Sequence, residues 1–155
     1  MVGGQKMNLE TPKLFHRSFI RTSKAHRHVC HHSFQTLGLT AGQPKILDYL
    51  ARSKGCSQKE LSQHCHIEPA TTTSLLSTLE RQQLIFREPN RQDRRILNVY
   101  LTEEGKRRQK MAKELMEQID EQCFEGFSEE ERRQTIEYLN RIYENLKGKE
   151  NLNHD

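Results

Sequence analysis

Apolar positions recur at helical spacing along both flanks of the chain and alternate in one short middle stretch. This pattern predicts a mainly α protein with a small β element. Over residues 12–37 a long helix is expected, with Phe15, Phe19, Val29 and Phe34 on or near one apolar side. Gly38 suits its end, because glycine enters the left-handed conformation without a Cβ penalty. Thr40-Ala-Gly-Gln43 has the spacing of a capping box for the next helix, whose buried face is Ile46, Leu47 and Leu50 and whose exit is 53–55. Ser57-Gln-Lys-Glu60 repeats the spacing and opens a short helix carrying Leu61. It ends near 64–66, since Ile67-Glu68-Pro69 disfavours continuation. Pro69 fits the first position of a following helix with Leu75, Leu76 and Leu79 on one side and Thr71, Thr72, Thr73, Ser74, Ser77 and Thr78 on the other. Two short helices joined by about four residues make a helix-turn-helix, able to set its second helix in a major groove.

After Leu84 the pattern turns extended. Residues 85–88 and 96–101 read as two strands around the polar turn 89–95, with Leu97, Val99 and Leu101 alternating as a half-buried strand requires. Together they form a wing. Thr102 then caps a helix starting near Glu103, with Met111, Leu115 and Ile119 four apart. Gly126 interrupts it, and Ser128-Glu-Glu-Glu131 opens a last helix carrying Ile136, Leu139, Ile142, Tyr143 and Leu146. No later element covers that stripe, which points to pairing with a second copy.

Composition adds little to the fold but narrows the function. A chain of 155 residues that is 33% hydrophobic and 30% charged, without Trp, fits one helix-rich domain that completes its apolar burial against a partner. The net charge of +4 is modest, so distribution matters more. Arg87, Arg91, Arg94 and Arg95 stand against Glu88 and Asp93, whereas 114–131 is acidic, so one end should be positive. No apolar run approaches a membrane span and no secretory signal is evident, which places the protein in the cytoplasm. Cys30, Cys56, Cys65 and Cys123 form no C-x-x-C pair and read as reduced thiols.

L-T-A-G-Q-P-K-I-L (39–47), S-Q-K-E-L (57–61), the helix from Pro69, L-E-R-Q-Q-L-I-F-R (79–87), N-R-Q-D-R-R (90–95) and L-T-E-E-G (101–105) stand in one order. Together they resemble the MarR family of winged helix-turn-helix transcription regulators. The resemblance implies a winged helix-turn-helix lobe over 38–101, flanked by an N-terminal dimerisation helix (11–37) and C-terminal dimerisation helices (102–147). Residues 1–10 are expected to be disordered and 148–155 frayed. It further implies a homodimer on a pseudo-palindromic operator of double-stranded DNA, acting as a repressor released by a small aromatic effector.

By the same resemblance Arg95 would approach the minor groove, with Asp93 holding the wing arginines, Arg91 and Arg94 included, through charge-assisted bonds. The alternative is a salt-bridged turn that only shapes the hairpin. Many family members carry an arginine just after the T-x-T segment; this chain has Ser74. Base reading must then rest on Thr71, Thr72, Thr73 and Ser74, unless these only cap the helix and position phosphates. Gln58, Lys59, Arg81 and Arg87 are candidate backbone contacts. Phe15, Phe19 and Tyr49 are candidates to line the effector cleft, with core packing as the alternative.

Other readings keep the fold but change the signal or the partner. Cys30 or Cys65 could sense redox state, Cys65 with a thiolate favoured by His64 and His66. His28 and His32 within the 26–32 cluster lie four apart and could share a metal ion, although two ligands from one helix do not close a site. The basic stripe Lys13, Arg17, Arg21, Lys24 reads either as a phosphate-facing row or as a solvated face. A winged-helix adapter that binds protein would lack the wing arginines, which are present. No nucleophile–base pairing, phosphate loop or H-E-x-x-H motif points to an enzyme, and no cofactor is implied.

Overall fold

The computed structural model describes the backbone of residues 10–150 and the side chains of residues 14–147. Of the expected disordered stretch 1–10 and frayed tail 148–155, residues 1–9 and 151–155 lie outside the described residues, while residue 10 and residues 148–150 are helical. In chain order the elements are α1 (Glu10–Gln35), α2 (Gln43–Ser53), β1 (Cys56–Ser57), α3 (Gln58–Cys65), α4 (Pro69–Arg81), β2 (Ile85–Pro89), β3 (Leu97–Leu101), α5 (Glu103–Cys123) and α6 (Glu129–Glu150). The chain divides into two compact units, Met1–Glu117 and Gln118–Asp155.

The core of the first unit gathers one to three apolar residues from each element. Leu39, Ile46, Leu47, Leu61, Leu76, Leu79 and Val99 are at most 1% exposed, and Leu84, Ile85 and Ala112 close around them. α1 meets this core only toward its end, through buried Phe34 and the partly buried Cys30 packed against it, while Val29 is half-buried. Phe15 and Phe19, expected on the same apolar side, are 48% and 42% exposed, so neither is core.

The sheet is antiparallel with order β1-β3-β2, one strand more than the sequence pattern predicts. Cys56 pairs with Val99 and Ser57 with Asn98, so the residue that caps α3 also anchors the sheet edge. Ile85 faces Leu101 and Pro89 faces Leu97 across β2 and β3. Burial of the wing is confined to its base: Val99 and Leu101 are buried, but Leu97 is 47% exposed, because the hairpin projects beyond the helices.

Two glycines make close approaches possible. A Cβ at Gly55 would run into the Tyr100 ring, and one at Gly105 would run into the Leu84 carbonyl. The start of α5 is thereby held against the end of α4, where Thr102 donates its hydroxyl to the Gln83 carbonyl at 2.7 Å and accepts the Gly105 N–H at 2.9 Å. The α2 start departs from the expected capping box. The Thr40 N–H does reach Gln43 Oε1 at 2.8 Å, yet the cap residue is Gly42 with φ 87°, and no side chain caps the helix.

In the second unit, Ser128 and Glu131 form the expected reciprocal box. Arg132 bonds Glu121 at 3.0 Å and lies over the Phe124 ring. Along α6, Ile136, Leu139, Tyr143 and Leu146 are 48–63% exposed.

Candidate nucleic-acid interface

The helix-turn-helix is built by caps and a tight turn. The Ser57 hydroxyl accepts the Glu60 N–H, while the Glu60 carboxylate accepts the Ser57 N–H at 2.7 Å and the Ser57 hydroxyl at 2.8 Å, and these two bonds to the carboxylate hold Glu60 below the usual carboxylate range. His66 ends α3 in the left-handed region, φ 49°, with its N–H directed at the carbonyls of Gln63 and Ser62. Pro69 opens α4 directly after the Glu68 cap.

The face of α4 that meets the core is Thr72, Leu76 and Leu79, with Leu75 only half-buried on its flank. Thr72 is 0% exposed: its hydroxyl receives that of Ser62 at 2.9 Å and donates to the Glu68 carbonyl at 3.1 Å. The expectation that Thr72 reads bases is therefore corrected; it joins α3 to α4. Its place was legible, since it lies four residues before Leu76 and seven before Leu79. Thr71, Thr73 and Ser74 are exposed. Thr73 donates to the Pro69 carbonyl at 3.0 Å and accepts Gln58 Nε2 at 2.6 Å.

Lys59 and Arg81 are exposed, but Arg87 is placed otherwise than expected. Its side chain is only 22% exposed and its Nε lies 3.2 Å from Glu80 Oε2. It braces β2 against α4, with its charge already answered.

The wing tip is organised from Asn90. Its side-chain oxygen accepts the N–H groups of Gln92 (2.8 Å) and Asp93 (3.2 Å), shaping the turn. The Asp93 carboxylate in turn accepts Nε, Nη2 and the N–H of Arg95 at 3.0–3.1 Å, and the Arg95 side chain stays 91% exposed. The guanidinium holds the Asp93 carboxyl below its usual range, so the clamp stays charged. Arg91 and Arg94 are exposed, with no ion pair among the described residues. Three cations around one acid give this tip a positive field.

Two contacts that the sequence pattern does not mark tie this lobe to the bend between α1 and α2. Gln82, at the end of α4, donates to the Gly38 carbonyl at 2.9 Å, and Arg108 donates to the Leu37 carbonyl while bonding Glu104 at 2.8 Å.

The sensing alternatives fare differently. Cys65 is 2% exposed, and burial pushes its thiol up, the reverse of what a redox sensor at this position needs. Cys30 lies 3.6 Å from a ring nitrogen of His26. His28 and His32 meet edge to face at 4.4 Å, but among the described residues no three His, Cys, Asp or Glu side chains converge to hold a metal. Phe15 stacks on Phe19 at 5.8 Å and Tyr49 on His64 at 4.9 Å, as separate pairs. A concavity of about 520 Å³ along α1 is lined instead by Arg21, Lys24, Ala25, Arg27, His28 and His31. Among the described residues no helix is long and apolar enough to cross a membrane.

Comparison with known proteins agrees with this architecture. The MarR family model matches residues 37–96. The chain is 31% identical to the HTH-type transcriptional repressor YetL of Bacillus subtilis over 131 residues, covering 83% of this chain and 78% of that protein. Among solved structures it superposes on the S. aureus MepR–DNA complex with TM-score 0.77 at 23% identity, covering 84% of this chain and 97% of that one. It also superposes on Bordetella bronchiseptica BpsR, in a structure titled for regulation of DNA binding by 6-hydroxynicotinic acid. There the TM-score is 0.73 at 23% identity, with 84% of this chain and 98% of that one covered. With its helix-turn-helix, its arginine-tipped wing and this relative over most of its length, the chain belongs to the MarR family, whose members are transcriptional regulators rather than enzymes.

Proposed function

We propose that the protein acts as a homodimeric repressor on a pseudo-palindromic DNA operator and that a small aromatic effector releases it. The observation that carries this reading is that α4 buries Thr72, Leu76 and Leu79 and leaves Thr71, Thr73 and Ser74 exposed, in the same unit as a wing tip bearing Arg91, Arg94 and Arg95. Small hydroxyl side chains let a helix approach base edges closely, while the wing guanidiniums contribute most of the affinity through phosphate contacts and a narrow minor groove. In a two-fold dimer the two α4 helices fall in major grooves about one helical turn apart, hence the palindrome. Lys59 and Arg81 are the backbone contacts that remain exposed.

Support for repression comes from the name of the YetL relative, and for a DNA partner and an aromatic effector from the titles of the MepR and BpsR structures. The effector must favour a released spacing of the two lobes by several kcal/mol, since equal affinity for both states shifts nothing. Phe15, Phe19 and Tyr49 are the aromatic groups offered for it, the first two because they are stacked yet left in solvent.

The reading is tested by selecting bound duplexes from random DNA with the purified protein, then titrating the winners with salt. Enrichment of a palindrome with half-sites about one turn apart is expected. Weak, salt-sensitive binding with no enriched sequence would leave a scaffold that does not read DNA.

A further inference from the structure

Resting on that DNA-reading function, the structure assigns Gln58 as a specificity-determining residue: its NH2 group anchors the Thr73 hydroxyl, already an acceptor, and its Oε1 stands beside it as a second acceptor, so that each half-site carries an amino-bearing base, adenine or cytosine, opposite Thr73. Four α4 hydroxyls spend their only proton on the carbonyl four residues back. They are Thr72 on Glu68, Thr73 on Pro69, Ser77 on Thr73 and Thr78 on Ser74. Thr73 alone among the exposed ones has a second partner, Gln58 Nε2 at 2.6 Å, reaching across from the first residue of α3.

A hydroxyl has one proton and two lone pairs. At Thr73 the proton is committed to Pro69 and one lone pair to Gln58, so the group left for a ligand is a single lone pair. The amide orientation of Gln58 follows from the same count: a hydroxyl with no proton to give must face the NH2 group, which leaves Gln58 Oε1 as a further acceptor. In the major groove only adenine N6 and cytosine N4 offer protons, so two acceptors side by side discriminate against guanine and thymine. Thr71 and Ser74, which make no side-chain hydrogen bond among the described residues, keep rotatable hydroxyls that give or take a proton and so discriminate less.

The test is duplex selection with the full-length wild type, Gln58→Leu, Thr73→Val and Thr73→Ser, each checked for an unchanged melting temperature. Wild type and Thr73→Ser are expected to show adenine or cytosine at one position of each half-site. Gln58→Leu and Thr73→Val should both lose that preference by roughly tenfold, at that position alone, with the rest of the motif intact. If Gln58→Leu lowers affinity for all sequences equally and leaves the motif unchanged, Gln58 is only a structural link and the inference fails while the DNA-reading function stands. If wild type enriches no motif, both fail.

Discussion

Arg95 presents its guanidinium to solvent while two of its donors rest on Asp93, so the side chain is exposed yet already oriented. An exposed pair of this kind adds little to folding; under the proposed function its effect is to hold a flexible cation where a phosphate or a minor-groove edge would meet it. Arg95→Ala should therefore leave thermal stability near wild type and weaken DNA binding by about 1 to 3 kcal/mol, with a shallower dependence on salt. Equal affinity for the two proteins across a salt titration would remove Arg95 from the interface. At this scale the sequence was only partly readable. Chemistry alone nominated both Thr72 and Thr73, and only periodicity separates them, because the apolar arc that continues through Leu76 and Leu79 takes Thr72 inward. The setting of Arg87 was hidden for a related reason: a charge in a strand reads as exposed until the partner Glu80, on another element, is known.

Elements were most legible where their signals are local. The Ser57–Glu60 and Ser128–Glu131 boxes, Pro69 at the head of α4 and the break at Gly126 all follow from short-range hydrogen bonding and backbone restriction. β1 could not be read, since two residues carry no periodicity and Cys56–Ser57 become a strand only through pairing with β3. The links from α4 and α5 to the bend after α1 are non-local in the same way, and one of them yields a test. Glu104 is held by Arg107 and Arg108, hydrogen bonds that bring its pKa down from 4.5 to about 2. A depressed carboxylate stabilises the fold above its unfolded pKa, and that contribution disappears as pH falls from 4.5 toward about 2. Arg108 also holds the Leu37 carbonyl, so the pairing steadies the junction of α1 with the DNA-binding lobe. Glu104→Gln should melt lower than wild type at neutral pH, and the gap between the two proteins should close across that acid window. A gap independent of pH would mean that the Glu104 charge contributes nothing.

At the scale of the whole molecule the uncovered apolar faces, one in each unit, are the strongest clue. α6 carries Ile136, Leu139, Tyr143 and Leu146 at spacings of three, four and three, all largely in solvent, and α1 carries Leu14, Phe15, Phe19 and Ile20 in the same condition. A three-four repeat is the seam of paired helices, and a soluble chain seldom leaves such a row uncovered. If a second copy covers it, Leu139→Glu with Tyr143→Glu places charges in the seam and should yield a monomer by sedimentation. The DNA-binding unit, whose core lies in residues 34–112, contains neither position and should keep its fold and its affinity for a single half-site. Affinity for the full palindrome should then fall by about 100-fold or more, because the second half-site is no longer held at high effective concentration. A double variant that still sediments as a dimer would require a different interface, whereas a monomer that binds the palindrome as tightly as wild type would show that the two lobes do not act together.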